Sequence, residues 1–227
     1  MTTIDHTVFV IEDDPAVRQS LLDLMTSAGL AAQGFACGKD FLAAHGGGDG
    51  GCVVLDVCLP DLNGIQILTE LKQRGAQVPV VMISGASDIP VAVEALHRGA
   101  FDFLEKPFAP QQLLARVQEA LLETDRRRLA LAQRAELEAR FARLTRRERE
   151  VVDLAVSGLN NRQIAARFEV SSQAVDAHRK RAMQKLGVTT VAELVQLVMI
   201  TRGAAANAVP TPMPVPAQTF AGPAAIA

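Results

Sequence analysis

The chain has little that would tie it together covalently or through a metal. Of its 227 residues only three are cysteine, Cys37, Cys52 and Cys58. They are odd in number, lie in apolar or glycine-rich surroundings and lack CxxC spacing, which argues against a disulfide scaffold and against a zinc site. His6, His45, His97 and His178 are scattered singly, so no histidine-based metal cluster is expected. No apolar run approaches the roughly 18 residues of a membrane span. An acid stands in MTTIDHTVFV where a secretory signal would be basic, so the expected location is cytoplasmic, with no membrane partner. Tryptophan and tyrosine are absent. What is present is globular material, 49% hydrophobic and 21% charged, too apolar for a disordered chain and long enough for two small domains.

The formal net charge of −2 conceals a division. Residues 1–125 carry 7 Lys+Arg against 17 Asp+Glu, net −10, whereas residues 126–227 carry 16 against 8, net +8. An acidic half precedes a basic one, which directs the search for polyanion binding to the second half.

In the first half, short apolar runs at Val8–Ile11, Ala31–Phe35, Cys52–Val57, Val80–Ser84 and Phe103–Glu105 alternate with stretches whose apolar residues recur at three and four. Asp14 followed by Pro15 reads as an N-cap and first helical position, with Val17, Leu21, Leu24 and Met25 as the buried stripe and Gly29 as the stop. Near-continuous runs such as CVVLDV and VPVVMIS suit strands covered on both faces, so the expectation is an α/β, flavodoxin-like, doubly wound parallel sheet of five strands. The glycine-rich segment from His45 to Cys52 precedes a strand instead of opening a helix, so it reads as a connection and not as a phosphate cradle. Gln111 to about Leu144 lacks Pro and Gly and is rich in helix formers, predicting one long helix between the halves. Its broken heptad leaves a coiled coil and a solvated connector both open. From Leu144 to Ile200 short helical patterns are punctuated by Gly158, Asn160-Asn161, Ser171-Ser172 and Gly187, predicting a compact all-α domain. Residues 203–227, Ala/Pro-rich, read as a disordered tail.

In a doubly wound sheet, ligands sit beyond the carboxyl ends of the strands. There the chain places Glu12-Asp13-Asp14, Asp56, Ser84 and Glu105-Lys106-Pro107. Each alone is ordinarily a solvated loop residue. Together, clustered carboxylates call for a hard cation, which for oxygen ligands with open positions is Mg²⁺. A central carboxylate among Mg²⁺, Lys106 and the Ser84 hydroxyl is equipped to accept a phosphoryl group as an acyl phosphate.

These residues stand in VFVIEDD, VVLDVCLPDLNG, MISGASD and GAFDFLEKPF, and over about residues 5–123 the chain resembles bacterial response-regulator receiver domains. The resemblance implies that Asp56 is the phosphoacceptor, that Glu12, Asp13 and Asp56 hold Mg²⁺ with the Cys58 carbonyl, and that Ser84 and Lys106 contact the phosphoryl group. Glu12 stands where the family more often has Asp, a longer side chain able to reach the metal through water. The Lys106-Pro107 bond is expected to be cis. Phe103 matches the family's rotating aromatic, paired in the switch with Ser84, and reads equally as a core phenylalanine.

In the basic half, Thr145 with Glu148 three residues on forms a capping box, and Val151, Val152, Leu154 and Ala155 give the first helix an apolar face. Asn160 or Asn161 caps a second helix, and Val170-Ser171 turns into a third, Ser172 to about Leu186: a helix-turn-helix plan. That third helix exposes Asp176, His178, Arg179, Lys180, Arg181 and Lys185, and holds none of the aromatics on which single-stranded bases stack. LTRREREV, GLNNRQIA, AVDAHRKRAMQKL and VTTVAELV, over about residues 142–200, resemble the LuxR/NarL-type DNA-binding domain. Receiver, helical linker and this domain together resemble the FixJ-type response regulators of two-component systems. The domains expected are 5–123, receiver; 124–142, linker; 143–202, DNA-binding; and 203–227, tail.

The resemblance implies a transcription factor and not an enzyme. Its expected partners are a sensor histidine kinase that phosphorylates Asp56, a second copy of the chain after phosphorylation, and double-stranded DNA. It places Asp176, Ala177 and Lys180 towards base edges and Arg162, His178 and Arg179 nearer phosphates. An aspartate among phosphates is repelled unless it accepts from a cytosine amine; alternatively Asp176 pairs with Lys180 one turn on. A competing reading, an aspartate-nucleophile phosphohydrolase, wants an acid two residues after the nucleophile, where Cys58 stands. A regulator acting only through protein contacts is the third.

Overall fold

The computed structural model describes residues 6–45, 50–85 and 89–206, and of 202–206 the backbone alone. Contacts divide the chain into two compact units, Met1–Leu131 and Ala132–Ala227.

The first unit runs β1 (Thr7–Ile11), α1 (Pro15–Ser27), β2 (Ala31–Phe35), α2 (Gly38–Ala44), β3 (Cys52–Asp56), α3 (Gly64–Gln73), β4 (Val80–Ser84), α4 (Ile89–His97), β5 (Asp102–Glu105) and the start of α5 (Pro110–Ala142). The strands form one parallel sheet in the order β2-β1-β3-β4-β5. Strand order reverses between β1 and β3, the switch point where loops diverge to leave a crevice. Register fixes what lies there: Ile11 pairs with Leu55, Asp56 with Ile83 and Ser84 with Glu105, so these strands end side by side.

Two apolar layers hold the sheet. Ile11, Val53, Leu55, Val80 and Met82 pack with Phe41, Ile67, Leu68 and Ala95 of α2, α3 and α4. Val8, Val10, Val54, Val81 and Ile83 pack with Leu21 and Met25 of α1 and Leu113, Val117 and Leu121 of α5. Residues such as Leu68 and Met82 are fully buried, each contributing about 1.5–3 kcal/mol. Truncation of one of them, Leu68→Ala, should cost about 2–5 kcal/mol, the lost burial plus the cavity left behind. Helix α1 begins as its sequence indicates: Asp14 Oδ1 accepts from the amides of Ala16 at 2.7 Å and Val17 at 3.1 Å, Pro15 follows, and Gly29 turns the chain at φ 77°. The glycine-rich connection falls largely on 46–49, outside the described residues.

Helix α5 is 33 residues long without a break, so the segment expected as a linker is the continuation of the first unit's last helix. In the second unit follow α6 (Arg146–Val156), α7 (Asn161–Phe168), α8 (Ser172–Leu186) and α9 (Val191–Ala206). Capping boxes open α6 (Thr145 with Glu148) and α7 (Asn160 with Gln163), and Ser171 caps α8. Glu169 ends α7 at φ 56°, the one left-handed non-glycine among the described residues. Val152, Ala182, Leu186, Leu194 and Val198 form one core cluster, and Val151, Ile164, Ala165 and Val175 another. Helix α9 runs on to Ala206, four residues into the segment expected to be a disordered tail, because Ala204–Ala206 favour helix and no proline intervenes before Pro210. The rest of that tail, 207–227, lies outside the described residues. Among the described residues no single helix is long and apolar enough to cross a membrane.

Candidate functional site

The crevice at the switch point is built from strand ends. After β1, the Glu12 amide donates to the Phe35 carbonyl at 3.1 Å, which turns its side chain inward, 2% exposed. Arg18 Nη1 donates to the carbonyls of Glu12 at 2.7 Å and Asp13 at 3.1 Å, bracing the loop. Asp13 stays exposed. Asp56, the last residue of β3, is 5% exposed, and the Cys58 amide donates to its Oδ1 at 3.1 Å. Gly64 lets α3 pack against this strand end, since a Cβ there would collide with the Asp56 carbonyl oxygen.

Across the crevice, the Lys106 amide donates to the Ser84 carbonyl at 2.7 Å, and the Lys106-Pro107 bond is cis. Lys106 Nζ then lies 2.6 Å from Glu12 Oε2 and 2.7 Å from Asp56 Oδ2. Ser84 is buried beside it. Burial raises the Glu12 carboxyl above its ordinary range against the pull of Lys106. Burial alone would lower the Lys106 ammonium, but the hydrogen bonds it donates to Asp56 and Glu12 outweigh that and raise the value. One carboxylate oxygen each from Glu12, Asp13 and Asp56 lies within 4.8 Å of the others. Phe103, on β5 opposite Met82, is half-buried against the α2, α3 and α4 layer.

In the second unit, α7 and α8 meet through the turn at Glu169, where the Val170 amide donates to the Ala165 carbonyl at 3.1 Å. Arg162 and Lys180 are exposed, and Asp176, Ala177, His178 and Arg179 are half-buried. Asp176 Oδ1 accepts from Arg179 Nη2 at 3.1 Å and from Asn161 Nδ2 at 3.4 Å, and its Oδ2 is 3.0 Å from Lys180 Nζ. Lys180 and Arg179 hold the Asp176 carboxyl below its ordinary value.

Known proteins share both units. Residues 8–118 match the response regulator receiver domain, and residues 142–198 match the bacterial regulatory proteins of the luxR family. The transcriptional regulatory protein FixJ of Bradyrhizobium diazoefficiens is 38% identical over 199 residues, 88% of this chain and 97% of its own. FixJ of Azorhizobium caulinodans is 39% identical, covering 90% of this chain and 97% of its own. The chain belongs to the FixJ-type response regulators. Among solved structures, response regulator StyR superposes with a TM-score of 0.80 at 39% identity over 86% of this chain and 99% of its own. Full-length FixJ from B. japonicum gives 0.55 at 36% identity over 87% and 98%.

A FixJ-type response regulator carries a receiver and a LuxR-type DNA-binding domain and belongs to a family of two-component transcriptional regulators. Of the residues singled out in the receiver, Glu12, Asp13, Asp56, Ser84 and Lys106 come together, while Cys58 presents its amide to Asp56 with its side chain exposed. Sequence reasoning missed Arg18, which braces the acidic loop. It also missed Asp61, which accepts from the Gly38 and Lys39 amides at 3.1 and 2.9 Å and so caps α2 from the loop after β3. Asn161, expected only as a possible cap, instead reaches across to Asp176. The basic spacing of Lys185 gave no sign that its partner is Glu148 at 2.6 Å.

Proposed function

We propose that a sensor histidine kinase transfers a phosphoryl group to Asp56 and that the phosphorylated chain dimerises and binds operator DNA. The observation that carries this reading is Lys106 Nζ within hydrogen-bonding distance of Glu12 and Asp56 in a buried crevice at strand ends. An Asp56 carboxylate oxygen attacks phosphorus, the phosphorus–nitrogen bond of the phosphohistidine breaks, and the nitrogen lone pair returns to the imidazole. Lys106 and the Ser84 hydroxyl meet the transferred oxygens.

The donor set fits Mg²⁺: three carboxylates with converging oxygens, one of them exposed, are hard ligands that leave room for substrate oxygens. Glu12, Asp13, Asp56 and the Cys58 carbonyl would hold the ion, which supplies charge neutralisation to the incoming phosphoryl group. Phosphorylation draws Ser84 towards the acyl phosphate and makes room for Phe103 to turn inward, shifting the receiver to a dimerising form. The dimer forms through α4 and β5, around Val91 to Phe103, where Val93 and Leu96 are exposed apolar residues on α4. On DNA, Asp176, Ala177 and Lys180 face base edges and Arg162, His178 and Arg179 the phosphates, in the cytoplasm. The division of labour is a receiver over 5–123, a helical linker over 124–142 and a DNA-binding domain over 143–202. The chain acts as a regulator and not as a phosphohydrolase, since Cys58 offers no acid-base carboxylate two residues after Asp56. Incubation with acetyl phosphate and Mg²⁺ tests the assignment: intact mass should rise by one phosphoryl group in the wild type and not in Asp56→Asn. Equal labelling of the variant refutes it.

A further inference from the structure

Helix α8 carries four cations, Arg179, Lys180, Arg181 and Lys185, and three of them are already held by carboxylates. Lys185 is bound to the buried Glu148 at 2.6 Å. Arg179 and Lys180 both belong to Asp176, at 3.1 and 3.0 Å. Among the described residues only Arg181 of the four has no ion pair; its Nε donates to the Ala177 carbonyl at 3.3 Å. Asp176 is not free to follow its cations outward, because Asn161 at the start of α7 donates to the same oxygen that holds Arg179. The acid is fixed between the two helices of the helix-turn-helix.

We propose that Asp176 is a specificity-determining residue that withholds Arg179 and Lys180 from the phosphates of non-cognate DNA. The inference rests on the DNA-binding reading above and adds to the base contact of Asp176 a positioning role towards its two cations. Non-specific affinity comes from cations that neutralise phosphates and release counterions. A cation already paired with an anchored carboxylate releases fewer. Partly exposed ion pairs contribute little to folding and give way when a better acceptor is offered, but the carboxylate left behind then faces the phosphates unpaired. On an arbitrary duplex nothing offsets that repulsion. On a cognate site, a base-edge donor such as a cytosine amine meets the Asp176 oxygen, and a guanine edge can take Arg179 or Lys180. Specificity is the difference between those two affinities, and Asp176 widens it by lowering the weaker one.

The test is a salt titration of the full chain, treated with acetyl phosphate and Mg²⁺, on a duplex of scrambled sequence. Asp176→Asn preserves shape and removes the charge. It should bind the scrambled duplex more tightly and steepen the slope of log affinity against log salt by about 0.9 for each cation released, up to about 1.8 for the two. Asp176→Glu, which keeps charge and reach to the next turn, should retain the wild-type slope. Glu169→Gln, at an acid in the turn with no ion pair among the described residues, should also retain it. An unchanged slope in Asp176→Asn, or an equal steepening in Glu169→Gln, overturns the proposal. If Asp176→Asn loses its helical circular dichroism, single cation removals decide. Arg181→Gln should then flatten the slope by about 0.9 and Lys180→Gln by clearly less; equal flattening overturns it. If the wild type binds neither scrambled duplex nor any sequence selected from a random pool, the DNA-binding reading itself fails and the proposal falls with it.

Discussion

Lys106 Nζ lies as close to Glu12 Oε2, at 2.6 Å, as to Asp56 Oδ2, at 2.7 Å. The longer side chain after β1 therefore shares the ammonium with Asp56 instead of standing back from it. Two buried carboxylates divide one cation, so the crevice is short of positive charge. A divalent ion held by the carboxylates would relieve that imbalance.

The imbalance sets a pH dependence. Burial raises the Glu12 carboxyl above 4.5, so the folded receiver holds that proton more tightly than the unfolded chain does. In metal-free buffer the receiver should lose stability as pH rises from 4.5 through the raised folded value, and Glu12→Gln should flatten the decline. Mg²⁺ at ten times its dissociation constant should restore about 1.4 kcal/mol to the wild type. Denaturant unfolding with EDTA or Mg²⁺ measures both. A wild type indifferent to Mg²⁺ is incompatible with the assigned donor set.

Phosphorylation should convert monomer to dimer through α4, where Val93 is 45% and Leu96 47% exposed. Sedimentation equilibrium at about 50 μM, above ordinary micromolar self-association, should show a dimer with a phosphoryl mimic. Val93→Asp should leave it monomeric. A wild type that stays monomeric counts against this surface.

Glu148 is pulled down to about 2, first by the Lys185 hydrogen bond and then by the Thr145 amide. A depressed carboxylate stabilises the fold above its unfolded value and ceases to as pH falls from 4.5 to about 2. Glu148→Gln should cost the helical unit about 2 kcal/mol at neutral pH, Lys185 being partly solvent-screened. That deficit should shrink below pH 4.5. Calorimetry across this range decides it, and a deficit independent of pH contradicts the pair.

Much of the fold was legible because its signals are local. Asp14-Pro15, Thr145 with Glu148, and the apolar runs each state their structure within a few residues. The same holds for the acids at strand ends, once the alternation makes a parallel sheet. What was not legible depends on long-range placement. Lys106 and Glu12 are 94 residues apart, and no pattern tells which acid the ammonium meets. Asp61 caps α2 from 22 and 23 residues away, and Glu148 meets Lys185 from 37. On α8 the Asp176 and Lys180 pair was legible as a local alternative, one turn apart, whereas the acid that holds Lys185 sits on another helix.

The turn between α7 and α8 carries a local strain. Glu169 sits at φ 56° with no glycine to relieve it. Glu169→Gly should stabilise the helical unit by about 0.5–1 kcal/mol, the left-handed penalty exceeding the added chain entropy. A melting temperature that falls instead would show that the Glu169 side chain contributes more than its backbone costs.

The central claim, that Asp56 chemistry governs DNA binding, is tested most directly by one affinity. The duplex is one selected from a random pool by the phosphorylated chain, with binding measured before and after acetyl phosphate and Mg²⁺. Wild type should tighten by about tenfold or more, or 1.4 kcal/mol, and Asp56→Asn should not change. Equal tightening in both, or none in the wild type, would contradict the account.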